Sequence, residues 1–319
     1  MAHDSKRPYH PLDRQPKPAR EGSRMGEKPA FKDKSRFAPK PKAPKPRLPD
    51  DTDVLYGMHS VKEAFANPRR RFRRIVATEN AVQRLTEDGV NLPLAPELVK
   101  PEAIGRLLTP DAVHQGLYVE AERLPLLPLG KLPRDRIILA LDQVTDPHNV
   151  GAILRSAAAF DVGGVIVTHR HSPEITGVLA KAASGALEHV PMAGVQNLAR
   201  ALTTLKDEGF AVIGLDSEAP EKMGDLPLKL PIVLVLGAEG RGLRPSTREL
   251  CSHLARLELP GAIKSLNVSN AAAISLYAVQ QAITRMLKQE GSAPASRSGA
   301  LGEAMRMGIR IAGSPLYLP

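Results

Sequence analysis

Ile137-Ile138-Leu139-Ala140-Leu141-Asp142-Gln143-Val144-Thr145-Asp146-Pro147-His148-Asn149-Val150-Gly151-Ala152-Ile153-Leu154-Arg155-Ser156 is the stretch that decides the fold. Its first five residues form an unbroken apolar run, as expected for a strand buried on both faces. A polar turn follows, and then a helix over 149–160. The alternation repeats downstream. Residues 164–168, 210–215, 232–236 and 254–259 read as strands. Residues 173–184, 196–208, 245–252 and 268–288 read as helices, with Gly185 and Gly209 where C-caps belong. Strands alternating with helices predict a parallel sheet covered on both faces.

Upstream the pattern is different. Residues 54–66 read as a strand, a turn and a helix, with Ser60 as N-cap and Glu63 completing a capping box. A strand at 75–78, helical pieces at 79–88 and 101–108 and a strand at 116–120 follow. The predicted organisation is a small α/β domain at 53–123, a Leu- and Pro-rich linker at 124–135 and the parallel-sheet domain at 136–288. The chain beyond, 289–319, is rich in Gly, Ser, Ala and Pro and reads as weakly ordered.

The chain has 319 residues and a formal net charge of +10. Residues 1–50 carry +8 of that charge and 10 of the 29 prolines. A segment so poor in aliphatic residues cannot offset chain entropy by burial, so 1–52 is expected to be disordered. Its chemistry suits either a solubilising linker or an arm on nucleic-acid phosphates. A single cysteine, Cys251, excludes a disulfide framework and any multi-cysteine metal site, and fits a reducing, cytoplasmic location. No apolar stretch is long enough to span a membrane. The histidines lack metal-ligand spacing. Arg69, Arg70, Arg71, Arg73 and Arg74 surround Phe72. They read as an exposed basic face or, more sharply, as a phosphate-binding patch beside a stacking aromatic.

Two further segments resemble Asp146–Ser156 in placing Gly, Asn, Ser or charged residues just beyond a strand. They are Leu236-Gly237-Ala238-Glu239-Gly240-Arg241-Gly242-Leu243 and Ser265-Leu266-Asn267-Val268-Ser269-Asn270-Ala271. In parallel α/β sheets ligands bind beyond such strand ends. The glycine-rich segment is neither the dinucleotide fingerprint nor a P-loop, and no serine-nucleophile elbow is present. Arg155 is a charge within a helix whose neighbours are apolar. Ser265, Asn267 and Ser269 exceed what one N-cap needs.

At these three segments the chain resembles the SpoU/TrmH-type RNA 2′-O-ribose methyltransferases of the SPOUT superfamily. Residues 53–123 also resemble that family's substrate-binding domain. The overall likeness is greatest to the enzymes that methylate guanosine in 23S ribosomal RNA. The resemblance implies S-adenosylmethionine as cofactor, no metal, a trefoil-knotted C-terminal domain and a homodimer. It implies Gly237, Leu257 and Leu266 around the adenosyl group, with Gly214, Leu236 and Leu259 nearby. The family's catalytic arginine falls on Arg155, and Asn149, Glu239, Ser265 and Asn267 match its other polar active-site positions. Arg155 is a poor proton acceptor, so it is expected to stabilise a developing alkoxide or anchor a phosphate. Glu239 is the candidate base. A transfer-RNA methyltransferase and a non-catalytic ribosome-assembly factor are the rival expectations.

Overall fold

A computed structural model describes residues 48–170 and 177–291. Of the tail expected to be disordered (1–52) and the weakly ordered end (289–319), residues 1–47 and 292–319 lie outside the described residues, as do the first residues of the helix expected at 173–184. Thr52 already starts the first strand, and 289–291 belong to the last helix.

The N-terminal part runs β1 (Thr52–Tyr56), α1 (Met58–Ala66), β2 (Phe72–Ala77), α2 (Glu79–Glu87), β3 (Glu97–Leu98), α3 (Pro101–Leu107) and β4 (Leu117–Glu122). Its four strands lie in the order β1-β4-β2-β3, with β4 antiparallel to both β1 and β2. The capping box expected at Ser60 does not form. Gly57, at φ 83°, turns the chain so that α1 starts at Met58, and the Met58 N–H donates to Gln115 Oε1 at 2.9 Å. Ser60 is thereby carried inside the helix, buried, and its hydroxyl donates to the Ala180 carbonyl.

The second part runs β5 (Ile137–Asp142), α4 (Pro147–Ala159), β6 (Gly164–Thr168), α5 (Gly177–Ala183), β7 (Met192–Val195), α6 (Leu198–Asp207), β8 (Ala211–Leu215), β9 (Glu221–Lys222), β10 (Ile232–Gly237), α7 (Pro245–Arg248), β11 (His253–Arg256) and α8 (Val268–Gly291). The seven strands are parallel throughout, in the order β7-β6-β5-β10-β8-β11-β9. Period-two alternation explains the continuous apolar run of β5. Ile137, Leu139 and Leu141 join one core cluster with α4, α5 and α8, while Ile138 and Ala140 join a second with Leu198, Leu202 and Leu205 of α6. The sequence reading missed β7 and β9. Met192-Ala193-Gly194-Val195 is a short edge strand without a run of β-branched residues, and β9 is only two residues long.

Two features tie the parts together. Leu55, Ile75 and Leu117 of the first sheet share one core cluster with Leu139 of β5, Ile153 of α4 and Leu179 of α5. Beside that core lies a buried ion cluster. Arg70, its side chain 1% exposed, pairs with Asp53 at 2.8 Å and with Glu188 at 2.9 Å. Asn67 Nδ2 donates to Glu188 Oε2 at 2.6 Å, and Arg123 completes the set against Asp53. The expected linker is also less free than its composition suggests. The Leu127 N–H donates to the Met192 carbonyl at 2.8 Å, and the Leu127 carbonyl accepts from Gly194 N, stitching the segment along the outer edge of β7.

Candidate active site

The chain goes from β5 outward to β6 and β7, then returns to the other side of β5 for β8 and β10. The crevice between the C-terminal ends of β5 and β10 is therefore a topological switch point, where open α/β sheets bind ligands. An open cavity of about 480 Å³ occupies it, walled by Gln143, Thr145, Asp146, Asn149, Glu239 and Arg241.

Each wall has a local cause. Asp142 ends β5 fully buried, and its carboxylate accepts from the Arg244 backbone N–H at 3.0 Å and from Arg244 Nε at 2.6 Å. This clamp fixes the loop that leaves β10. Asp146 caps α4 by accepting from His148 N, and Asn149 is buried in the first turn. Beyond β10 the chain folds back so tightly that a Cβ on Gly237 would stand 2.2 Å from the Gly242 carbonyl carbon. The reversal is closed by Gly242 N–H donating to Ala238 O, with Gly240 and Gly242 at positive φ. Glu239 is held at its tip.

The third segment completes the site. Asn267 Oδ1 accepts from Ser269 N at 2.8 Å and from Ser269 Oγ, an N-cap arrangement for α8. Its Nδ2 donates to Asn149 Oδ1 at 3.0 Å and to Glu239 Oε1 at 2.6 Å. Three segments, spread over more than a hundred residues of sequence, meet in one hydrogen-bonded cluster at the cavity mouth.

Residues 136–277 match the sequence model of the SpoU rRNA Methylase family. A curated relative, the 23S rRNA (guanosine-2′-O-)-methyltransferase RlmB of Pseudomonas aeruginosa, is 39% identical over 242 residues, which is 71% of this chain and 95% of the relative. The chain belongs to the SpoU methylase family. The RlmB of Yersinia pestis is 35% identical, covering 72% of this chain and 96% of its own length. The fold is shared with the SpoU methyltransferase AviRb from Streptomyces viridochromogenes, solved with AdoMet, at a TM-score of 0.61 and 22% identity over 72% of this chain and 90% of that one.

Within this SpoU chain the expected site residues do not all converge. Asn149, Glu239 and Asn267 do. Ser265 is exposed on the preceding loop and makes no hydrogen bond to the cluster. Arg155 lies six residues beyond Asn149 on α4, about 9 Å along the helix axis. It is not packed among its apolar neighbours: Ile153, Leu154 and Ala157 are buried, whereas Arg155 is exposed and makes no ion pair among the described residues. Gly214 lies in β8 beside Val235 of β10. Leu236 is buried at the end of β10, Leu257 and Leu259 are half-buried, and Leu266 is 38% exposed.

The arginine run needs correction. Arg70 is buried in the ion cluster and cannot reach a phosphate. Arg73 pairs with Asp51 at 2.7 Å and Arg74 with Glu97 at 2.7 Å, and the Arg74 hydrogen bond holds the Glu97 carboxyl below its usual range. Arg69, Arg71 and Arg73 are the exposed members; Arg73 is held by Asp51, and Arg69 Nη2 donates to the Glu188 carbonyl. Acidic residues on neighbouring strands, Asp51, Asp53, Glu97 and Glu120, were the signal for this pairing. Sequence reasoning also passed over Asp142 and Arg244. A lone acidic residue ending an apolar run was the available sign of a buried charge requiring a partner.

Proposed function

We propose that this protein transfers a methyl group from S-adenosylmethionine to the ribose 2′-hydroxyl of a guanosine in 23S ribosomal RNA. The observation that carries the reading is the Asn149–Asn267–Glu239 cluster at the switch point. The loops after β10 and β11 fit the cofactor. Leu257, Leu259 and the part-exposed Leu266 offer apolar surface to an adenine ring. From Glu258 to Leu266 no backbone N–H donates to an acceptor among the described residues, leaving donors for a base edge. When bound, S-adenosylmethionine supplies a methyl group already activated by its sulfonium, so the protein's task is positioning.

Asn267 draws Glu239 Oε1 toward α8, where Val268 N–H also faces it at 3.4 Å. Glu239 Oε2 is left to accept from the acceptor hydroxyl. Arg155 stands apart from that cluster within one chain and has no carboxylate partner among the described residues; it anchors a flanking phosphate or, across the proposed homodimer, stabilises anionic charge on the acceptor oxygen. Arg69, Arg71 and the basic segment 1–52 contribute salt-dependent affinity for RNA. Exposed Ile274 and Tyr277 on α8, 46% and 57% accessible, support a homodimer. Membership of the SpoU family supports a knotted path for the C-terminal domain.

Incubating the protein with labelled S-adenosylmethionine and unmodified 23S ribosomal RNA, then mapping ribose methylation, tests the reading. Label on one guanosine is expected. RNA binding without label transfer would replace the enzyme with an assembly factor, and label on transfer RNA alone would change the substrate.

A further inference from the structure

Four residues other than glycine adopt positive φ among the described residues: Gln115, Gln143, Asp161 and Ser184. This region is unfavourable for any side chain with a Cβ, so each instance calls for a cause. Three have one in the fold. Asp161 follows α4 in a helix-ending arrangement in which Val162 N–H donates to Ala157 O at 2.9 Å. Ser184 follows α5, its N–H donating to Ala180 O. Gln115 sits in a tight turn closed by Leu117 N–H donating to His114 O, and its Oε1 receives the first N–H of α1. Gln143, at φ 61°, has no such cause. It ends no helix, closes no hydrogen-bonded turn, and its carboxamide makes no hydrogen bond among the described residues.

Its position supplies the missing reason. Gln143 immediately follows Asp142, which the Arg244 clamp holds rigid, and it lines the same cavity as Asn149 and Glu239. A strained residue on a fixed support, with an unpaired amide in the wall of the cavity that Asn149 and Glu239 also line, has the marks of a binding group rather than a structural one. A carboxamide presents a donor beside an acceptor, the complement of a base edge that carries the same pair.

We infer that Gln143 is a specificity-determining residue that hydrogen-bonds the base of the nucleotide being methylated. The inference rests on the reading that this nucleotide enters the cavity. Two protons of the amide are available to a base carbonyl or ring nitrogen, and its oxygen accepts from a ring or exocyclic N–H. No bond is made or broken in this step.

The test is a cycle between protein and base. Wild type, Gln143→Ala and Gln143→Gly act on a synthetic RNA spanning the mapped target nucleotide and on the same RNA with that base replaced by an unsubstituted purine ring. In wild type the bare ring lowers kcat/KM roughly 10- to 100-fold, the span expected for a lost bidentate contact. In both variants the two RNAs are used equally, S-adenosylmethionine binding by calorimetry is unchanged, and the Tm of Gln143→Gly does not fall, because glycine accepts the left-handed backbone. A Gln143→Ala protein that still penalises the bare ring as wild type does would overturn the inference while leaving the methyltransferase reading intact. Weakened S-adenosylmethionine binding would assign Gln143 to the cofactor instead. Absence of methyl transfer by wild type would remove both.

Discussion

Asn267 uses its amide fully. One oxygen caps α8 through Ser269, and one nitrogen bridges Asn149 and Glu239. Asn267→Asp keeps the cap but replaces the donor with a carboxylate beside Glu239, so methyl transfer in single-turnover assays is expected to fall by about 100-fold or more, with helix content by circular dichroism intact. Asn267→Ala loses the cap as well, at about 1 kcal/mol of stability measured by thermal denaturation. Cys251 makes a separate prediction. Burial pushes its thiol up to about 11, so at pH 8 only about one thiol in a thousand is ionised. Iodoacetamide should modify it slowly in the folded protein and rapidly in denaturant. Rapid labelling of the native protein would contradict the burial. At this scale the sequence was legible where a residue's chemistry and its place beyond a strand coincided, as at Asn149, Glu239 and Asn267. It was not legible where exposure decided the matter. Whether Arg155 faces the core depends on helical phase, and the burial of Arg70 depends on Glu188, 118 residues away.

Among elements, the turn that leaves β10 is the most constrained. Gly237 meets the backbone of Gly242 so closely that no side chain fits, and backbone cannot step aside as a flexible side chain could. Gly237→Ala is expected to cost at least about 3 kcal/mol, at or beyond the upper end for overpacking, and to remove activity at temperatures where the protein remains folded. A variant with wild-type Tm and full methyl transfer would show that this loop is free to move. The alternation of strands and helices was readable from residues 137 onward because buried parallel strands are continuous apolar runs. The short strands β7 and β9 were not, since edge position and pairing rather than composition define them. The start of α1 was misplaced for a related reason: the acceptor for its first N–H comes from Gln115, far along the chain.

For the whole molecule, the two sheets share one apolar cluster and one buried ion cluster, so they are expected to unfold together, giving a single calorimetric transition. Removing Arg70 leaves the buried Glu188 carboxylate without a cation and Asp53 with Arg123 alone. Arg70→Met should therefore lose about 3–5 kcal/mol, lowering Tm by roughly 10 °C for a chain of this size. Two separated transitions in the wild-type protein would contradict the shared core.

The strip of chain around Leu127 carries a consequence of its own. A terminal strand with open N–H and C=O groups is a template on which other copies of the chain can add. By occupying Met192 O and Gly194 N, Leu127 shields the outer side of β7 with the chain's own backbone. The stretch between the two sheets thus acts as a guard against aggregation. Leu127→Pro, which deletes the N–H that binds Met192, is expected to leave methyl transfer largely intact and to raise light scattering on mild heating.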